Sequence, residues 1–293
     1  MEKIEVNSTS NTGAPLSEGI FTSQPCKFVV GQAKTEIFIH SELVKRESEP
    51  LGRIIDNSFA EGQKGYVLLR DDDVGTVCAF AQYLYTGDYH LPLDQVDIPA
   101  PNDGDESCRK VNYEDKTRQW GRPLNSLWRR FIRSKEYNNQ APLSDSYMIP
   151  YEAPCNTRPK TDDIDEPYFN TGNMDKDYSE LFISHAKIFV FAQYYGVEAL
   201  MGLSMRRLHK ALCGFGLSRE RIGDILALIR YCYDRPGPEK LKKMVASYSA
   251  AIVNSQVSDV VVECFLGLLR ERGDFAVDMA WFLACRVTHS TEC

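Results

Sequence analysis

The chain has 293 residues, 43% of them hydrophobic and 26% charged, with a formal net charge of −7. Those values suit one or two globular domains with a sizeable core. The negative balance argues against a general electrostatic grip on nucleic acid or anionic lipid. No run of about eighteen apolar residues offers a membrane span, and the start, "MEKIEVNSTSNTGAPLSEG", lacks the basic-then-apolar pattern of a secretory leader. Nine cysteines is an odd count, and Cys78, Cys213, Cys232 and Cys264 sit in apolar helical patterns. Reduced core thiols are therefore expected rather than a disulfide framework, and with them a cytoplasmic or nuclear protein.

Residues 1–25 are rich in Ser, Thr, Asn, Gly and Pro and read as a disordered tail without a helix. From Cys26 the texture changes. "CKFVVG" and "EIFI", separated by "GQAK", predict a strand, a turn and a strand. "SELVKR" begins a helix, and "EPLGRIIDNSF" a second one, with Leu51, Ile54 and Ile55 on a shared face. "GYVLLRD" predicts a third strand. The acidic run Asp71–Asp73 then stands at the first turn of a helix over "VCAFAQYLYTGDY", which Gly87 ends. Three short strands are not stable alone, so helices must cover one face of the sheet.

Residues 91–177 break the pattern. Proline recurs at 92, 99, 101, 123, 142, 150, 154, 159 and 167, and periodicity is weak, so this stretch reads as an insertion. One piece stands out, "RQWGRPLNSLWRRFIRSK". Leu124, Leu127, Trp128, Phe131 and Ile132 follow helical spacing on one stripe. Six basic residues and no acidic one lie between 118 and 135, whereas 144–177 holds eight acidic and three basic residues. The two halves of the insertion thus carry opposite charge.

Order returns at "DKDYSELFISHAKIFVFAQYYGV". Asp177 and Glu180 have capping-box spacing, and Leu181, Phe182, His185, Ile188, Phe189, Ala192 and Tyr195 share a face that ends at Gly196. "EALMGLSMRRLHKAL" predicts the next helix. Four more follow: Ile222, Ile225, Leu226 and Ile229; then, after Pro238 at a first helical position, Leu241, Met244, Val245 and Tyr248; then Val261, Cys264, Phe265 and Leu268; then Phe275, Met279 and Phe282.

The ordered set "FVVG", "EIFIHSELV", "SEPLGRIIDNSFAE", "GYVLLRDDD" and "FAQYLYTGDY" resembles a BTB/POZ domain of the type found in filamentous fungi. "LFISHAKIFVFAQYYGVEALMGLSMRRL" resembles the last helical pair of the same fold. The resemblance implies an α/β protein of the α+β kind, with a small three-stranded sheet covered by helices and an all-α extension after it. The division it implies is a tail at 1–25, a first domain part at 26–90 and an insertion at 91–177. The last helices of the domain follow at 178–213 and a helical extension at 214–293. The sequence departs from the family at two points. Pro25 stands where an Asp is usual, and the helix and strand used by swapped dimers are not evident in 1–25.

In BTB families that serve ubiquitin ligases, a hydrophobic–x–Glu motif after the second helix meets the cullin scaffold. Phe59-Ala60-Glu61 matches it. The resemblance implies an apolar anchor at Phe59 and a hydrogen-bonding rim residue at Glu61; otherwise Phe59 closes the core and Glu61 is a solvated turn residue. Trp128 and Phe131, with Arg129, Arg130 and Arg133, form a second partner-binding candidate, since aromatics and arginines together suit protein interfaces or base stacking. Cys285, His289 and Cys293 share a helical face. Structural zinc uses four ligands and no second Cys/His pair lies nearby, so no metal is expected.

No phosphate loop, GxSxG or HExxH is present, so neither an enzyme nor a cofactor is expected. Three readings follow. The first is an adaptor linking a target to a cullin-type ubiquitin ligase. The second is an oligomerising scaffold or transcription-associated protein with no ligase role. The third is a nucleic-acid-associated factor using the basic insertion segment, which the net charge disfavours.

Overall fold

A computed structural model describes residues 18–60, 65–91, 177–215, 221–253 and 259–289. By their contacts these fall into two compact units. One holds the residues up to His90 together with Tyr194–Val197; the other holds Leu91, the described residues up to Gln193, and those from Glu198 onward.

In the first unit, β1 (Pro25–Val30) and β2 (Thr35–His40) pair antiparallel, and β3 (Tyr66–Leu69) pairs parallel with β1, giving the order β2-β1-β3. A parallel neighbour requires a crossover. The chain supplies it as two helices, α2 (Ser41–Glu47) and α3 (Glu49–Ala60), before β3, with α4 (Val74–Thr86) after it. Because strand side chains alternate, one face of the sheet is buried: Cys26, Phe28 and Val30, with Ile39, Val67 and Leu69. Leu43, Val44, Leu51, Ile55, Val77, Phe80 and Leu84 are among the buried residues of the helices in this unit. Each large side chain taken out of water here contributes about 1.5–3 kcal/mol. The architecture is α+β, as the strand and helix patterns lead one to expect.

Local chemistry sets the ends of these elements. Ser48 sits between α2 and α3, and its hydroxyl accepts from the Leu51 N–H (3.2 Å) while donating to the Tyr195 carbonyl (2.6 Å). Asp73 caps α4 by accepting from Thr76 N–H (3.2 Å). Gly87 closes it in the left-handed region (φ 76°), donating to the Tyr83 carbonyl, a conformation that costs a residue with a Cβ.

Two expectations need correcting in this unit. Residues 1–25 are not without a helix, since Glu18–Thr22 form α1, with Ile20 buried. Five residues are too few for a periodic signal to emerge from a polar stretch. Ile54 does not share the buried face of Leu51 and Ile55. It is 40% exposed, lying at the margin of the stripe on the i+3 side of Leu51.

The second unit is helical. Its elements are α5 (Ser179–Tyr194, all but its last residue), α6 (Glu198–Gly214), α7 (Ile222–Tyr233), α8 (Glu239–Ile252), α9 (Asp259–Glu271) and α10 (Gly273–His289). Helix α8 is the hub. Leu241, Met244, Val245, Ala246, Tyr248, Ser249, Ala250 and Ala251 are all buried, which leaves it no solvent face over two turns. It packs against α10, α7 and α6. Pro238 is the residue before α8 rather than its first helical residue. The turn Tyr194–Val197, with Gly196 left-handed (φ 67°), joins α5 to α6 and is grouped with the sheet unit.

Candidate interaction surface

The register that buries one face of the sheet presents two rows of side chains on the other. Phe38, Lys27 and Tyr66 form one row; Glu36, Val29 and Leu68 form the next. Phe38 is 60% exposed and Leu68 37%. Lys27 links the rows, with its ammonium 3.0 Å from Glu36 Oε1 and 5.5 Å from the centre of the Tyr66 ring. This face is thus mostly apolar and aromatic around a single, already paired, charge couple. Side chains of this kind carry binding energy at protein interfaces, and an apolar group this exposed contributes nothing to a core.

The unit behind this face is held by hydrogen bonds to hydroxyls and by the Lys45–Asp56 ion pair (2.6 Å) between α2 and α3. His40 ends β2, and its backbone N–H donates to the Tyr85 hydroxyl (3.2 Å), which in turn lies 2.7 Å from His40 Nδ1. His40 is thus anchored at its backbone and its ring by one tyrosine hydroxyl. Tyr195 donates to Asp72 Oδ2 (3.2 Å), and burial pushes the Asp72 carboxyl up from its ordinary range.

In the helical unit, the start of α5 is pinned by an aromatic group. Phe215 meets Tyr178 and Phe182 edge to face, and the buried Arg221 guanidinium lies 5.2 Å from the Tyr178 ring centre. The Ser179 hydroxyl, and after it the Ser179 N–H (2.8 Å), hydrogen-bond to Asp177 and hold its carboxyl below the usual range. His185 is fully buried, and burial, with the charge of Arg207 adding to it, lowers its pKa to about 3. It is a neutral core residue at any physiological pH. At the other end, ion pairs fasten the α9–α10 elbow to the end of α7. Arg230 pairs with Glu271 (3.0 Å); Arg272 binds Asp234 and the Tyr233 carbonyl; Tyr233 Oη donates to Asp278 Oδ2 (2.7 Å).

Of the residues singled out in the sequence, Phe59 lies in α3, and Cys285 and His289 lie in α10, with their side chains outside the described set. Glu61, Trp128, Arg129, Arg130, Phe131, Arg133 and Cys293 lie outside the described residues altogether. Among the described residues no group of three or more His, Cys, Asp or Glu side chains could hold a metal ion, and no helix is long and apolar enough to cross a membrane. The outer sheet face went unmarked in the sequence, yet its signal was there. "EIFI" and "YVLL" are continuous apolar runs, and a two-residue period cannot turn every member inward.

No protein-family model, curated protein or solved structure matches the chain.

Proposed function

We propose that the chain is a non-catalytic protein–protein interaction module of the BTB/POZ type, acting as an adaptor that links a target protein to a cullin-type ubiquitin ligase. The observation that carries the docking role is the outer sheet face, where the exposed Phe38 and the part-exposed Leu68 flank the Lys27–Glu36 pair around a buried Val29. The hairpin, the helical crossover and the parallel third strand support the BTB reading, because they place "EIFIHSELV" and "YLYTGDY" as one packed unit. Phe59 falls in the last turn of α3, where a motif read after that helix has to start. The proposed division of labour gives the Phe59–Glu61 end to the cullin and the outer sheet face to a second protein.

The test is a pull-down with the intact chain and purified cullin, beside a variant carrying Phe59→Ala with Glu61→Ala. Retention by the parent and loss in the variant support the adaptor. No cullin binding by the parent removes it. The same exposed face favours a second reading, an oligomerising scaffold that never meets a ligase. Light scattering separates the two: an oligomer that Phe38→Asp reduces to monomer, in a chain without cullin affinity, selects the scaffold.

A further inference from the structure

Strand β2 lies at the edge of the sheet, and three hydrogen bonds fix which of its backbone groups look outward. Ser41 N–H donates to the Gln24 carbonyl (3.1 Å) and extends the β1–β2 ladder, whereas Gly31 N–H donates to the Leu69 carbonyl (2.8 Å) on the β3 side. His40 N–H turns away from β1 to the Tyr85 hydroxyl. Hydrogen-bonded and non-hydrogen-bonded pairs alternate along an antiparallel ladder. In the observed register the bonded pairs are therefore Cys26–Ile39, Phe28–Ile37 and Val30–Thr35. The backbone N–H and C=O groups of Glu36 and Phe38 point away from β1, and among the described residues nothing bonds them there. Proteins guard such an edge with lysine, proline, a bulge or a cover. Thr35–His40 contains no lysine or proline, its register runs unbroken, and its one carboxylate is already paired with Lys27.

We infer that β2 is the interface to a second copy of this chain, paired edge to edge and antiparallel about a two-fold axis at Ile37. Three observations select that occupant. The spacing is self-complementary. With Ile37 on the axis, Glu36 faces Phe38 of the second copy and Phe38 faces its Glu36, so four hydrogen bonds satisfy all the outward groups of both residues in both strands. The side chains agree. Ile37, half-buried on the inner side of the sheet, meets itself in a non-hydrogen-bonded pair, where side chains approach closest. Like charges do not stand opposite each other, because each Glu36 faces a phenylalanine and keeps its own Lys27. Exposure is also centred on this edge: Phe38 on β2 is more exposed than Leu68 on β3, and pairing covers it. A two-fold axis normal to the sheet leaves both outer faces on the same side, joined across six strands. The strip is about 20 Å long and about 10 Å deep, below the ~800 Å² per partner of a tight complex. The dimer is therefore concentration-dependent, dissociating in the micromolar range.

Sedimentation equilibrium of the intact chain from about 1 to about 500 µM tests this, for the parent, Ile37→Lys, Ile37→Glu and an equimolar mixture of the two variants. Because residue 37 faces its own copy, each variant alone sets like charges together and the mixture sets opposite ones. The expected result is a parent dimer, association at least about tenfold weaker in each variant, and recovery of association in the mixture. Thermal unfolding checks that the variants fold. If they do not, Ile37→Cys decides: oxidised at a dimer-forming concentration, it should yield a disulfide between residue 37 of the two copies in a peptide map, and its absence overturns the inference. A parent that stays monomeric throughout overturns it too, as does a dimer that both charged variants leave intact. A dimer that Phe38→Asp dissolves but the Ile37 variants do not joins through the outer faces; that overturns the edge pairing and leaves the scaffold reading standing. The inference goes beyond the adaptor reading, and cullin retention is measured separately, so either can fail alone.

Discussion

The two units solve the same problem, joining elements that each bury one face, with different chemistry. The sheet unit is closed by hydroxyls, Ser48 donating to the Tyr195 carbonyl and Tyr195 to the Asp72 carboxyl, with the Lys45–Asp56 ion pair joining α2 to α3. The helical unit surrounds the apolar α8 and secures its outer elbow with Arg230–Glu271 and Arg272–Asp234. Their surfaces differ as well. The sheet unit exposes apolar side chains from its strands, the helical unit from a helix stripe. The comparison teaches where each unit is rigid by packing and where it depends on charge, and so which conditions should loosen which.

The sharpest test of packing is a pair of truncations. Phe28→Ala on the inner face of β1 should cost about 4 kcal/mol and Met244→Ala on α8 about 3 kcal/mol, read from denaturant midpoints. A cost under about 1 kcal/mol for either would mean that the side chain does not sit in a close-packed core.

Next comes pH. His185 stays neutral in the folded chain down to about pH 3, whereas an unfolded chain takes up that proton near pH 6.5. Stability due to this group is therefore full above pH 6.5 and falls as pH drops from there toward 3. The loss between pH 7 and pH 5 should be about 2 kcal/mol. His185→Leu should flatten that part of the curve, and an unchanged slope would assign the acid sensitivity elsewhere.

A smaller effect is expected at the α4 ends. Asp73→Ala removes the cap bonded to Thr76 N–H and should lower the denaturation midpoint by about 1 kcal/mol of stability. Smallest of all is the ionic elbow. Its pairs are largely exposed, so Arg230→Met should move the denaturation midpoint least of these changes at low salt, and less still at 1 M salt. Tyr195→Phe, which removes a half-buried hydroxyl–carboxyl bond rather than an exposed ion pair, should show a smaller salt dependence. Equal salt dependence in the two variants would break the contrast between the units.

Much of the fold was legible because its elements carry strong local signals. The β-branched and aromatic runs at 26–30, 36–39 and 66–69 became the strands, Asp73 and Gly87 bound α4, and the i, i+3, i+4 stripes of α5, α7 and α8 are buried as spaced. What local pattern did not reveal depends on tertiary partners. Ile54 shares the spacing of Leu51 and Ile55, and only the packing of α3 decides which of the three meets the core. Glu18–Thr22 is too short to show a period. The outer sheet face was hidden for the opposite reason: its residues look like core until the register pairs Phe38 with Lys27 and Leu68 with Val29. The motif-based candidates, Phe59 with Glu61 and the Trp128 segment, stay as proposals that rest on sequence.

The central claim is that the outer face of β2-β1-β3 exists to bind protein. Affinity purification of the intact chain beside a Phe38→Asp, Leu68→Asp variant, with thermal unfolding followed in parallel, tests it most directly. The account predicts unfolding within about 0.5 kcal/mol of the parent, since both side chains are exposed, together with loss of a defined partner set. An identical partner set in both, or a variant that no longer folds, would contradict it.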